Sequence, residues 1–145
     1  MSAWPPLARY ATALAGQSWP VAFIDVQALR HNARQVRELA GQHPVRLVTK
    51  SLRSVAAIRF LQSLDAGFRG LMCYHPLEAV WLAQQGFDDL LVAYPCHQRP
   101  VLSRVAEAIH DGADITLLVD CAAHLAQIDA AAQAHGVRIP VCVDI

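Results

Sequence analysis

Lysine is almost missing from this chain. Of its 12 basic residues all but one are arginines, and Lys50 is the single lysine. It follows the apolar run Val45–Thr49 and precedes a helical pattern. An amine can deprotonate and attack a carbonyl group whereas a guanidinium stays charged, so a lone lysine at a strand-to-helix junction is a candidate nucleophile. The alternative is that a coding bias towards arginine has eroded lysine generally and that Lys50 survives by chance.

Other absences exclude whole classes of function. The formal net charge is zero, with no basic block and no acidic tail, which excludes an electrostatic nucleic-acid or membrane-surface binder. No apolar run approaches the roughly 20 residues that span a bilayer, and the first residues do not resemble a signal peptide, so a cytoplasmic location is expected. Reduced thiols are expected because no CxxC pair occurs among Cys73, Cys96, Cys121 and Cys142.

Strand and helix patterns alternate along the 145 residues. Glycines follow the helical patterns and precede apolar runs, as expected where a helix ends and a strand begins. Several of these runs are continuously apolar, which is typical of parallel strands buried on both faces. The predicted strands are Val21–Asp25, Val45–Thr49, Gly70–Tyr74, Leu90–Tyr94, Ile115–Val119 and Ile139–Ile145.

This alternation predicts an α/β fold with a parallel sheet and right-handed crossovers. No GxGxxG or GxxxxGK[ST] motif follows any strand, which favours a barrel over a nucleotide-binding open sheet. A full (β/α)8 barrel takes about 250 residues, and the sequence stops inside a strand pattern. We therefore expect an N-terminal arm over residues 1–20 and, over residues 21–145, the N-terminal portion of a TIM-type barrel, truncated within a strand.

The order of motifs resembles a known family. The residues that carry the resemblance run from Pro20 to the end of the chain: Pro20–Val26, Leu29 and Asn32, Arg46–Ser51, Gly67–Met72, Tyr74, Glu78–Ala79 and Leu82–Pro95. In this order they resemble the N-terminal part of the alanine racemase-like, fold-type-III pyridoxal-phosphate (PLP) enzymes. Within that family they are most similar to the D-threonine aldolase and D-serine dehydratase branch, which includes amino acid deaminase/aldolase proteins.

The resemblance implies that PLP binds covalently to Lys50, buried at the mouth of a barrel. It also implies that Val45–Thr49 is barrel strand one, that Val21–Asp25 and its helix join a different domain, and that the chain carries five of eight barrel strands. The implied parent protein is a lyase acting on D-configured β-hydroxy amino acids, with a small-molecule substrate and a homodimeric assembly. A divalent metal is possible in the full-length protein, with its ligands outside this chain.

The residues that follow the lysine depart from the family pattern. Relatives often read Lys-Thr-His-Lys, and alanine racemases usually place a tyrosine four residues after the lysine; here the residues are Lys50-Ser51-Leu52-Arg53-Ser54. Ser54 either contacts the cofactor phosphate or caps a helix. Arg53 either contacts phosphate or a substrate carboxylate, or is solvated in the first turn.

Aromatic and imidazole side chains also follow the strands. Tyr74 and Tyr94 end strands on the catalytic side, where each either reaches the cofactor or packs partly buried. Glu78 is expected to cap or brace its helix. The histidines that follow strands are spaced widely and lack a carboxylate partner in register, so capping or solvated roles are favoured over metal ligation. They are His75, His97 and His124.

Two alternatives to the lyase stay open. An amino-acid racemase on the same fold needs a second acid–base group, which would lie after Ile145. A non-catalytic PLP-binding homeostasis protein would carry the cofactor without turnover. Under each hypothesis the 145-residue chain alone is expected to be inactive, because five strands leave a barrel open.

Overall fold

A computed structural model describes residues 7–144 and shows helices alternating with strands. Residues 1–6 of the predicted arm, and the last residue of the predicted final strand, lie outside the described residues. The elements, in chain order, are α1 Leu7–Ala13, α2 Val26–Ala40, β1 Val45–Val48, α3 Val55–Leu64, β2 Phe68–Cys73, α4 Pro76–Gln84, β3 Leu90–Val92, α5 Arg99–His110, β4 Ile115–Val119, α6 Ala122–His135 and β5 Val141–Val143.

The five strands form one parallel sheet in the order β1-β2-β3-β4-β5. Each pair of neighbouring strands is joined through one helix, which is the repeated unit of a (β/α)8 barrel. The prediction of a parallel α/β sheet is therefore confirmed, and the arrangement is consistent with the N-terminal part of a TIM-type barrel. The predicted bounds of β4 match those observed, whereas β1, β3 and β5 are shorter than predicted and β2 both begins and ends earlier than predicted.

The hydrophobic core lies between one face of the sheet and helices α2–α6. Along β4, Ile115, Leu117 and Val119 are buried, whereas Thr116 and Leu118 between them are only partly buried. The same alternation continues in β3. Helices cover one face, and within residues 7–144 the other face is not closed over, so the expectation of burial on both faces holds for the helix side alone.

Arg46 of β1 contacts the residue before β3 at the N-terminal end of the sheet. Its guanidinium donates to the Asp89 backbone oxygen and to Asp89 Oδ1, each at 2.6 Å, and so crosses β2. The crossing passes over Gly70, where φ is +71° and where the β1–β2 register shifts. A β-carbon at Gly70 would lie 2.5 Å from Arg46 Nη1 and 2.5 Å from Asp89 Oδ2, so only glycine fits there.

The predicted strand Val21–Asp25 is wrong: residues 21–25 are irregular. An apolar run becomes a strand only where a neighbour accepts its backbone hydrogen bonds, and none of residues 7–144 pairs with this segment. Asp25 instead caps α2, accepting hydrogen bonds from the amides of Gln27 and Ala28. The Tyr10 hydroxyl of α1 also donates to Asp25 Oδ2, at 2.9 Å, and thereby attaches α1 to the start of α2.

Candidate active site

Lys50 lies at the C-terminal end of β1. The buried Thr49 extends the strand pairing by one residue, since its amide and its hydroxyl both donate to the Met72 oxygen, at 3.0 and 3.2 Å. Lys50 lies in the turn that follows the strand, and its side chain lines a cleft of about 220 Å³. In β/α barrels this end of the strands is where the chemistry takes place. The expectation that Lys50 would be buried is wrong for the described residues, because the mouth of the five-stranded sheet is open and the lysine is exposed.

Two tyrosines flank the Lys50 amine. Nζ lies 3.5 Å from the Tyr94 hydroxyl, 5.8 Å from the centre of the Tyr94 ring and 5.9 Å from that of Tyr74. The rings themselves meet edge to face, with centroids 5.1 Å apart. Both tyrosines follow neighbouring strands, β2 and β3, so the parallel sheet brings them together although they are far apart in the chain. Among the described residues no carboxylate lies within ion-pair distance of the amine, which leaves it available to a carbonyl compound.

Local hydrogen bonds hold Tyr74 at the start of α4. Glu78 Oε2 accepts the Tyr74 amide at 2.7 Å, and His75 Nδ1 accepts the Leu77 amide at 3.2 Å. Pro76 occupies the first turn, where no amide donor is needed. The predicted bracing role of Glu78 and the predicted capping role of His75 are thus confirmed.

Arg53 and Ser54 lie beside the lysine at the start of α3. Ser54 Oγ accepts the Ala57 amide at 3.3 Å, so the serine is the N-cap of this helix. Arg53 Nε donates to the Lys50 backbone oxygen at 3.3 Å. Both side chains line a cavity of about 400 Å³ between the starts of α3 and α4, and Tyr74 lines it too. The structure therefore brings all four sequence-predicted site residues to one end of the sheet.

Cys73 lies directly before Tyr74 and is not a second nucleophile. Its side chain is fully buried. Burial, together with the nearby negative charge of Glu78, raises the pKa of the Cys73 thiol to about 12. A thiol that stays protonated at neutral pH is a small apolar packing group.

A second polar cluster follows β3 and β4 and was missed by the sequence analysis. His97, Asp120 and His124 place their ligand-type atoms within 4.8 Å of one another. His124 is completely buried, and its ring accepts the amide of Cys96, a loop residue, so the expectation of a capping or solvated role is wrong for His124. The signal that could have found the cluster was Asp120, which directly follows β4 and supplies the carboxylate that seemed to be lacking.

No helix within residues 7–144 combines the length and the apolar character that are needed to cross a bilayer.

Comparisons with known proteins identify the family of this chain. Residues 24–145 match the family model described as alanine racemase, N-terminal domain. The 3-hydroxy-D-aspartate aldolase of Paracoccus denitrificans is 31% identical over 128 residues, which are 87% of this chain and 33% of that protein.

Two solved structures share the fold. The D-threonine aldolase from Filomicrobium marinum superposes with a TM-score of 0.79 at 23% identity, over 88% of this chain and 34% of that one. The D-threo-3-hydroxyaspartate dehydratase from Delftia sp. HT23 superposes with a TM-score of 0.78 at 24% identity, again over 88% and 34%. The chain thus spans about a third of the length of the relatives that it matches. It belongs to the alanine racemase N-terminal domain family.

Proposed function

We propose that this chain is the lysine-bearing part of a PLP-dependent lyase that acts on D-configured β-hydroxy amino acids. The observation that carries the proposal is the Lys50 amine, which is the only one supplied by a lysine and lies between two tyrosines at the C-terminal end of a barrel strand. The 31% identity to a 3-hydroxy-D-aspartate aldolase supports the choice of substrate class.

The residues present fit the cofactor. An aldehyde needs an accessible amine that is not engaged by a carboxylate, and Lys50 meets that need. The flat aromatic walls of Tyr74 and Tyr94 suit a planar ring in the cleft. Arg53 supplies a permanent cation for phosphate or for a substrate carboxylate, and the Ser54 hydroxyl can still donate a hydrogen bond while it accepts from Ala57.

When bound, PLP supplies an electron sink for the electrons released at the substrate Cα. In a retro-aldol cleavage the β-hydroxyl loses its proton, the Cα–Cβ bond breaks and an aldehyde leaves. In a dehydration the Cα–H bond breaks, a base takes up that proton, and the β-hydroxyl leaves with a proton as water. Lys50 Nζ and the Tyr94 hydroxyl, 3.5 Å apart, are the groups of this chain placed to hold and exchange a proton at the reacting carbon. The two tyrosine rings shield one side of the amine from water.

Arg53, Ser54 and Tyr74 are assigned to cofactor binding as part of this proposal. The homodimeric assembly, the cytoplasmic location, and the division into an arm over residues 1–20 and a partial barrel over residues 21–145 are proposed with it.

Borohydride reduction followed by peptide mapping tests the proposal on the full-length protein. Trypsin does not cleave at a modified lysine, so the pyridoxyl group should appear on the peptide Leu47–Arg53. Lys50→Arg should abolish the adduct and its absorbance while keeping the positive charge, because a guanidinium cannot form the bond. An adduct on a lysine outside this peptide would contradict the assignment.

Substrate assays test the reaction class. D-Threonine, D-serine, 3-hydroxy-D-aspartate and L-alanine are offered in parallel, and release of aldehyde, ammonia or keto acid from a D-β-hydroxy amino acid is expected to be faster than racemisation of alanine. Racemisation without such release would favour the racemase alternative.

A further inference from the structure

The cluster formed by His97, Asp120 and His124 lies outside the surroundings of Lys50. Asp120 directly follows β4, His124 lies in the first turn of α6, and His97 lies in the loop between β3 and α5. Since β3 and β4 are neighbouring parallel strands, their C-terminal ends meet and the loops that follow them touch. The His97 and His124 ring centroids are 4.6 Å apart.

One ring nitrogen of His124 has no hydrogen-bond partner within residues 7–144. Its side chain is buried, with 0% exposure, and Nε2 accepts the Cys96 amide at 3.3 Å. Nδ1 is also buried and has no hydrogen-bond partner among the described residues. The Asp120 Oδ1 that faces it is 4.0 Å away, too far for a hydrogen bond. A buried polar atom without a partner costs free energy, so a histidine placed there only for packing would be unfavourable.

The other two members of the cluster face the solvent. His97 is exposed, and the Asp120 side chain retains 48% of its accessible surface. A group that binds His124 Nδ1 can therefore enter from solvent and keep water on its open side.

We propose that His97, Asp120 and His124 bind a divalent transition metal of the Zn²⁺, Co²⁺ and Ni²⁺ class. Two imidazoles and one carboxylate suit these ions, whereas Mg²⁺ and Ca²⁺ prefer oxygen ligands alone. Zinc bonds to nitrogen and oxygen are about 2.0–2.2 Å long, so the separations between these ligand atoms, which now reach up to 4.8 Å, must shrink by up to roughly 1.5 Å. The exposed side chains of His97 and Asp120 can make that movement.

Metal binding at Nδ1 moves the His124 ring proton to Nε2. The Cys96 amide then gives up its contact with that nitrogen, which at 3.3 Å is a long one and lies in a loop. The bound ion links the loop after β3 to the loop after β4, and it stabilises the strand end that carries Tyr94.

Metal titration of the chelator-treated full-length protein tests the site. Zn²⁺ binding is measured by calorimetry and Co²⁺ binding by visible absorption, which reports the ligand geometry. His97→Gln and Asp120→Asn alter exposed side chains, so both variants should fold. Each variant should lower the affinity for one equivalent of metal at least about 100-fold, because loss of an outer-shell partner alone already lowers metal affinity 10- to 100-fold.

The matched control is His110→Gln, which removes an exposed histidine at the opposite end of α5 from His97. This variant should bind the same number of metal equivalents, with the same affinities, as the unaltered protein. Metal bound elsewhere in the full-length protein is retained in all three variants, so the informative result is the loss of one equivalent. Unchanged stoichiometry and affinity in His97→Gln and Asp120→Asn, or no binding by the unaltered protein, would overturn the proposal.

Discussion

At the scale of single residues, the surroundings of Lys50 are built from aromatic rings, and within residues 7–144 no carboxylate lies within ion-pair distance of its amine. An ion pair would hold the amine in its charged form and compete with a carbonyl compound, whereas the tyrosines offer a weak hydrogen bond and the faces of their rings. The two rings differ in one respect, because the Tyr94 hydroxyl contacts the amine and Lys50 has no hydrogen bond to the Tyr74 hydroxyl among the described residues.

Tyr94→Phe should separate cofactor attachment from turnover. The ring is kept, so PLP should still attach to Lys50, but the hydroxyl 3.5 Å from Nζ is lost. We expect kcat to fall about 10- to 100-fold, at or below the lower end of the range for a positioned acid–base group. Tyr74→Phe is the matched control and should change kcat little. Equal losses in both variants, measured by steady-state kinetics on PLP-saturated protein, would exclude a specific role for the Tyr94 hydroxyl.

At the scale of secondary-structure elements, the contact that Arg46 makes with Asp89 across β2 requires a glycine at position 70. Gly70→Ala places a β-carbon against both Arg46 and Asp89 and demands a positive φ from alanine. Backbone strain and overpacking each cost about 1–3 kcal/mol, so we expect a loss of roughly 2 kcal/mol or more in the free energy of unfolding. Denaturant unfolding of the full-length protein measures it. The control is Gly112→Ala, where φ is also positive but no atom lies within 4 Å of the added carbon. An equal loss of unfolding free energy in this control would show that backbone strain, and not the contact with Arg46 and Asp89, causes the destabilisation.

The cap of α2 should make stability depend on pH. Hydrogen bonds from the Ala28 amide and the Tyr10 hydroxyl hold the pKa of Asp25 below its ordinary value. The stabilisation is therefore present above the ordinary carboxyl pKa and is lost as the pH falls through the lowered one. The difference in Tm between the unaltered protein and Asp25→Ala should be largest near neutral pH and should shrink under acidic conditions. A difference that is constant with pH would show that the charge of the cap does not matter.

At the scale of the whole molecule, the sheet presents two open edges and a partly exposed inner face. Within residues 7–144, β1 pairs only with β2 and β5 only with β4. Val48, Tyr74, Tyr94 and Val143 are large apolar or aromatic side chains left substantially exposed. Unpaired strand edges beside apolar surface favour pairing with another chain.

The 145-residue chain expressed by itself should therefore self-associate and show no turnover. Sedimentation should give species heavier than the 15.8 kDa monomer. Val143→Lys places a charge on β5, at a side chain that is 64% exposed, and should reduce the association without restoring activity. A monomeric, cooperatively folding 145-residue chain that binds PLP tightly and cleaves a D-amino acid would contradict this prediction.

The sequence by itself determined the features that depend on near neighbours in the chain. Apolar runs between helix-ending glycines located the five strands of the sheet, and Lys50 could be placed at a strand end because Val45–Thr49 is continuous. The N-cap role of Ser54 and the bracing role of Glu78 were among the sequence expectations because both act within four residues.

Only the tertiary structure decided which of these local features meet. Val21–Asp25 has the pattern of a strand yet finds no neighbour within the described residues, and pairing depends on a partner that the segment itself does not encode. Lys50 meets Tyr94 across 44 residues, Arg46 meets Asp89 across 43, and the Cys96 amide meets His124 across 28. Such contacts depend on the order and register of parallel strands, which bring the ends of separate βα units to one edge of the sheet.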